Sequence, residues 1–464
     1  MNNYEEFLKS KKVRYVPSGF DVPDSELHRE AFEFERDIVR WALKKGKAAI
    51  FADCGLGKTF MQLMWADAIH RKTGQDVLIL APLAVSSQTK REAERFGFDA
   101  AICKTTQDIR PGINITNYER LHYFEGIPFA GVVLDESSIL KSFYGKTKQE
   151  LIDRFRDVPY RLACTATPAP NDFMELGNHS EFLGVMNRAE MLATYFINDN
   201  EQTGQWRLKG HAERDFWQWV AGWAIVIRNP ADFGYKESSY DLPDLNIIEQ
   251  VIPAEADPFA LFAMPAETLE ERRNARKASM NRRVSAAAEI TNRSDDQWII
   301  WCDFNAESEA LAKSIHDSVE VKGSDTPEHK ENSGIGFADG KIRCLISKPA
   351  IYGFGMNWQN CHKIIFCGLS DSYEQFYQAV RRCYRFGQTK PVDVHIIISK
   401  KEINALRNIQ RKAKQAETMD RQMMAITREV NLSEIRQTNR QVKHYNADKS
   451  LSRSEEHTSE LQSR

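Results

Sequence analysis

The sequence predicts an α/β chain: two parallel sheets in tandem, with helical insertions and a helix that closes the chain. Three observations predict it. Short, almost wholly apolar runs alternate with helical stretches, the pattern of strands buried on both faces and joined by helical crossovers. The turn Ala52–Thr59 follows one such run and has the glycine spacing of a phosphate-binding loop. The arginine-rich segment Gln378–Gln388 lies about 325 residues later, after a second series of apolar runs.

The elements follow in order. In the first unit the strands are expected at Ala48–Ala52, Val77–Ala81, Ile113–Thr116, Val132–Asp135 and Arg161–Ala166. In the second they are expected at Trp298–Cys302, Arg343–Ser347, Lys363–Cys367 and Val392–Ile398. Met61–Ile69 reads as the helix that follows the phosphate loop. Glu267–Asn292 reads as a basic helical region between the two sheets. Lys401–Val430 carries Ile403, Leu406, Ile409, Met419, Met423 and Ile426 at helical spacing, a stripe that should pack back onto the body. The expected division is an N-terminal extension over 1–29, a first lobe over 30–240 and a linker with the basic insertion over 241–295. A second lobe follows over 296–400 and a helical segment over 401–452. Residues 453–464, RSEEHTSELQSR, read as a translated sequencing adapter and are set aside.

Composition narrows the class. The chain has 464 residues, 42% hydrophobic and 28% charged, which suits two or three globular domains. A net charge of −2 gives no global sign of nucleic-acid binding, though a local basic cleft stays compatible with it. No run of eighteen apolar residues exists and the N-terminus lacks an apolar signal core, so no membrane partner is expected. The eight cysteines lack paired spacing and read as reduced cytosolic thiols. His179, His211 and His395 lack metal-ligand spacing and read as structural or surface residues.

The chemistry concentrates at two places. Gly55 and Gly57 let the backbone turn its N–H groups inward, Lys58 meets phosphate charge, and the Thr59 hydroxyl suits magnesium. Asp135 and Glu136 end an apolar run. Asp135 would hold magnesium through water and Glu136 would serve as general base. The paired arginines of Gln378–Gln388 could reach the same triphosphate from the other unit. A nucleotide clamped this way between two domains would open and close a cleft.

Seven segments in order then carry a family resemblance over about residues 34–390. Ala52–Thr59 resembles motif I and Leu80–Pro82 motif Ia of superfamily-two helicases. Ile115–Glu119 is similar to an ITSYE segment, and Asp135–Lys141 to DEAHRIKN. Leu162–Pro168 resembles motif III, Gly353–Gln359 motif V, and Gln378–Gln388 the QAxxRxxRxGQ of motif VI. The set resembles the Swi/Snf-like branch, of phage or bacterial type. That resemblance implies two RecA-like lobes, ATP with Mg2+ as cofactors, and DNA as partner, duplex favoured over single strand. It implies Arg382 and Arg385 as stabilisers of charge on the transferring phosphoryl group, Gln378 as the residue that places them or the attacking water, and Thr165 and Thr167 as links between phosphate state and lobe contact. It implies Gly355 as a nucleotide residue and Pro82, Thr116, Asn117, Ser347 and Gly353 as a track for the DNA backbone. Three positions depart from the pattern: Glu35 stands for the adenine-reading glutamine, Ser138 for a histidine and Ser142 for an asparagine.

The expected function is an ATP-dependent DNA translocase, a monomeric motor in the cytoplasm of a bacterium or a phage-infected host. A nuclease, methyltransferase or replication protein would come as a separate partner. The alternatives are a strand-separating helicase and a nucleotide-dependent scaffold with little hydrolysis. Two segments admit two readings each. The basic run Arg272–Arg283 is a solvated helical face or a brace on DNA phosphates. The Trp206–Trp223 block is core packing or a stacking surface for bases.

Overall fold

The computed structural model describes residues 16–141, 145–198, 206–236, 240–253, 268–352 and 356–435. The first sheet holds β1 (Lys47–Ala52), β2 (Val77–Ala81), β3 (Ala100–Ile102), β4 (Ile113–Asn117), β5 (Gly131–Asp135), β6 (Tyr160–Cys164) and β9 (Ala224–Ile227). Their order is β3-β4-β2-β5-β6-β1-β9, and every pairing is parallel. Between β6 and β9, the short strands β7 (Phe196–Asn198) and β8 (Trp206–Leu208) form an antiparallel pair. The second sheet holds β10 (Leu245–Ile252), β11 (Trp298–Trp301), β12 (Ser318–Glu320), β13 (Cys344–Ser347), β14 (Lys363–Cys367) and β15 (Val392–Ser399). It runs β10-β15-β14-β11-β13-β12, again all parallel.

Each apolar run named from the sequence is a strand. β2 and β11 are buried at every position because helices cover both faces of a parallel sheet. Six strands lie outside those runs, for physical reasons. β3, β7, β8 and β12 have only three residues each, and β12 reads Ser-Val-Glu. β9 continues directly from an aromatic helix. β10 is an edge strand exposed at all positions but Ile252, so its pattern is neither continuous nor alternating.

The Trp206–Trp223 block is packing. Trp217, Trp219 and Trp223 are buried on the helix Glu213–Trp223, beneath the first sheet's second face, while Trp206 on β8 is half-buried. The basic run is neither a wholly solvated face nor a free brace. It forms two helices, Leu269–Ala278 and Met280–Thr291. Arg276 pairs with Asp303, and the fully buried Arg283 pairs with Glu307 and donates to the Cys367 carbonyl at 2.7 Å. Of that run's described basic residues, only Arg273, Lys277 and Arg282 are exposed.

The final helix, Ile403–Ile435, leaves the second sheet after β15 and returns to the first. Asn431 donates to the Ala224 carbonyl at 3.3 Å, and Glu434 accepts from the Trp41 indole at 2.8 Å and pairs with Lys45 at 3.0 Å. Among the described residues no helix is long and apolar enough to cross a membrane.

Candidate active site

The phosphate loop stands at the C-terminal end of β1, the edge where parallel sheets present their ligand sites. Gly57, at φ +70°, caps the helix Lys58–Thr73. A side chain there would need a left-handed backbone and would displace Glu35, since a Cβ on Gly57 would lie 1.9 Å from the Glu35 carboxylate. Gly55, at φ +89°, is required by the other sheet, because its Cβ would lie 2.9 Å from the backbone nitrogen of Phe386. The Lys58 ammonium donates to the carbonyls of Ala52 at 2.9 Å and Asp53 at 3.1 Å. Glu35 is buried on the helix Glu33–Lys45 and accepts from the Phe32 N–H at 2.9 Å, so one of its oxygens caps its own helix.

β5 delivers the acidic pair. Asp135 accepts from Gln62 at 2.8 Å and from the Glu136 N–H at 3.1 Å. Glu136 has φ +52°, a left-handed backbone that a non-glycine residue adopts only under constraint. Its carboxylate accepts from the Thr165 hydroxyl at 3.4 Å, and that hydroxyl in turn accepts from the Thr167 N–H at 3.1 Å. The segment expected as strand to Ala166 therefore stops at Cys164 and turns its threonines to the site. Burial raises both carboxyls, that of Glu136 to about 7, against the lowering pull of Lys58 and Arg382. Behind the pair, Ser137 bonds the buried ring of His179 at 3.1 Å, and burial lowers that imidazole to about 4.

The second sheet supplies the arginines. Gln378 is fully buried on the helix Tyr373–Val380 and holds Arg382 twice, through its side-chain oxygen at 3.0 Å and its carbonyl at 3.1 Å. Arg382 also donates to the Met356 carbonyl at 3.1 Å. Arg385 bonds Asn357. Burial, and then the like charge of Arg382, pull the Arg385 guanidinium down to about 10.

These groups share one cleft of about 570 Å³, counted out to its open mouth. Lys58, Thr59, Asp135 and Glu136 line it from the first sheet, and Arg382 and Arg385 from the second. Gln88 and Glu92 of the helix Leu83–Arg95 close one side, and burial raises the Glu92 carboxyl. The Thr59 hydroxyl and the Asp135 carboxylate are the hard oxygen donors a magnesium ion prefers, and both line this cleft. Sequence reasoning did not single out Gln62, Asn357, Gln88 or Glu92. Gln62 had a signal, since it lies one helical turn past Lys58.

The residues named for a DNA track are placed differently. Pro82 caps the helix Leu83–Arg95. Thr116 is buried and donates to the Cys103 carbonyl at 2.8 Å, and Ser347 is buried and donates to the Val321 carbonyl at 2.9 Å. Asn117 is buried and accepts from the Arg120 N–H at 3.0 Å. Gly353 and Gly355 lie outside the described residues.

Two parallel sheets, a phosphate loop on one, an arginine-bearing turn after a helix of the other and a cleft between them make a tandem RecA-like arrangement. Residues 282–387, which span β11 to β14 of the second sheet, match the family model of the helicase conserved C-terminal domain. Among solved structures the chain is similar to the Sulfolobus solfataricus SWI2/SNF2 ATPase core in complex with dsDNA. The match has 16% identity, covers 89% of this chain and 98% of that one, and has a TM-score of 0.43.

Proposed function

We propose that this chain is a DNA-dependent ATPase of the Swi/Snf-like branch that translocates along duplex DNA. The observation that carries the reading is the shared cleft, which brings Lys58 and Glu136 of one lobe within reach of the same ligand as Arg382 and Arg385 of the other. Lys58 meets the charge of the β- and γ-phosphates, and the N-terminus of its helix favours the same anion. Glu136, raised toward neutrality by burial, takes the proton of the attacking water. Arg382 and Arg385 stabilise the charge that develops on the phosphoryl oxygens. Gln378 fixes the Arg382 fork from within the second lobe. Thr165 joins Glu136 to the loop that follows β6. Bound magnesium would supply charge neutralisation, held by Thr59 and Asp135.

Phosphate contacts along a DNA backbone carry no sequence information, so binding should weaken steeply with salt. Because Thr116 and Ser347 are buried, those contacts would come from backbone N–H groups and from neighbouring exposed side chains. The test is steady-state ATP hydrolysis by the full chain without DNA, with single strands and with blunt duplex. Stimulation by duplex is expected. Stimulation by single strands alone would favour a strand-separating helicase. ATP binding without hydrolysis would favour a scaffold.

A further inference from the structure

The second residue of the phosphate loop, Asp53, is turned toward the other lobe. It is buried and is not among the residues that line the nucleotide cleft. Its carboxylate pairs with Arg381 and accepts from the Tyr377 hydroxyl, both from the second lobe. Its carbonyl accepts from Lys58 at 3.1 Å. One residue is thus bonded to the lysine of the phosphate loop on one side and to the second lobe on the other. Neither Asp53 nor Arg381 belongs to the set of residues that the ordered motifs assign to catalysis.

The junction extends further. Arg228, just past β9, lies 3.7 Å from the Asp53 carboxylate, donates to the Tyr377 hydroxyl at 3.4 Å, and pairs with Asp420 of the final helix. Two acids and two arginines balance around one tyrosine. They come from the phosphate loop, the end of β9, the arginine segment and the final helix. A charge-neutral, half-buried cluster of this kind tolerates loss of a whole pair better than loss of one partner, which leaves the other poorly compensated.

We propose that Asp53 and Arg381 form an interlobe latch, with Asp53 acting as a positioning residue that seats the Lys58 turn against the second lobe. Arg228 and Asp420 carry the same junction into the final helix, so that helix is coupled to lobe closure. The inference rests on reading the cleft as a nucleotide site, but the latch itself is testable without nucleotide.

The experiment compares full-length wild type with Asp53→Asn, Arg381→Gln, the double variant and Tyr377→Phe. Small-angle scattering without nucleotide reads lobe closure. ATP titrations of hydrolysis with duplex DNA separate kcat from KM. Each charge-removing single variant should show a larger radius of gyration than wild type. Each should lose about tenfold in kcat with KM changed by no more than about threefold. The double variant should be no worse than the weaker single, because neighbouring effects are non-additive. Tyr377→Phe removes only a hydroxyl, preserves the packing and should fall between wild type and the singles. Losses that multiply in the double variant would overturn the latch, as would unchanged compactness in both singles. If wild type hydrolyses no ATP, the functional reading fails while the scattering comparison still decides the latch.

Discussion

Replacing Gly55 with alanine asks whether the two lobes must touch at the phosphate loop. The added methyl would sit 2.9 Å from the Phe386 nitrogen and 3.2 Å from its Cβ, whereas ordinary van der Waals contact begins near 3.4 Å. The Phe386 backbone would have to withdraw by about 0.5 Å, taking the adjacent Arg385 with it. If a misplacement of roughly 1 Å costs about 10²-fold in rate, half that distance predicts about a tenfold loss. Backbone strain at φ +89° would add roughly 1–3 kcal/mol of destabilisation that has nothing to do with the other lobe. Gly74 provides the control: its φ is +69°, and nothing lies within 4 Å of its Cβ. Both variants should therefore show a lowered thermal midpoint. Only Gly55→Ala should lose turnover in a duplex-stimulated ATPase assay at saturating ATP, while Gly74→Ala stays within about twofold of wild type. Equal turnover in the two variants would refute the claim that this close approach positions Arg385.

The other expectations concern the charges. Lys58→Ala should abolish hydrolysis, and near-normal turnover by the purified variant would remove the phosphate loop from the mechanism. Arg385→Ala should retain ATP binding, measured by titration, yet lose roughly 10³-fold or more in turnover, the scale of an arginine finger. Because Glu136 must be ionised to act as base, kcat/KM should fall as the pH drops below about 7. Its raised pKa also means that the folded state holds the proton more tightly than the unfolded chain. Wild type should therefore lose stability relative to Glu136→Gln as the pH rises from 4.5 to about 7, and thermal midpoints at pH 5 and pH 8 check that sign. Arg283→Ala would leave Glu307 buried without its partner and should destabilise the second lobe by about 3–5 kcal/mol, read from urea unfolding.

Both sheets were legible because burial on two faces forces continuous apolar runs, and Val77–Ala81 and Lys363–Cys367 match observed strands end to end. The two walls of the cleft were legible because their residue types are tied to phosphate chemistry. What escaped was set by distant partners. Asp53 has no signal of its own within the Ala52–Thr59 segment, because its partners Arg381 and Tyr377 come from more than three hundred residues away. Arg283 looked like surface charge, and only the fold shows that Glu307, Glu402 and the Cys367 carbonyl surround it. β10 was hidden for the opposite reason, since an exposed edge strand leaves no apolar run to read.

The chemistry of the lobe junction bears on how such a core could cycle. Phe386 makes an apolar part of the junction, beside Gly55 and against the rings of Tyr240 and Phe32, and the other links named between the lobes are polar. They include Asp53 with Arg381 and Tyr377, Arg228 with Tyr377 at 3.4 Å, Lys141 with Glu374, Arg91 with Glu331 at 3.4 Å, and Cys54 with Gln378 at 3.7 Å. An apolar junction would gain roughly 25 cal/mol for each Å² removed from water and would resist opening in proportion to its area. Ion pairs behave differently. Separating them loses Coulomb attraction but returns both groups to water, and the two terms nearly cancel. A junction built this way lies close to balance between closed and open. A ligand that adds charge-assisted contacts to Lys58, Arg382 and Arg385 in the closed form alone could then shift the population by the few kcal/mol that a cyclic motor requires.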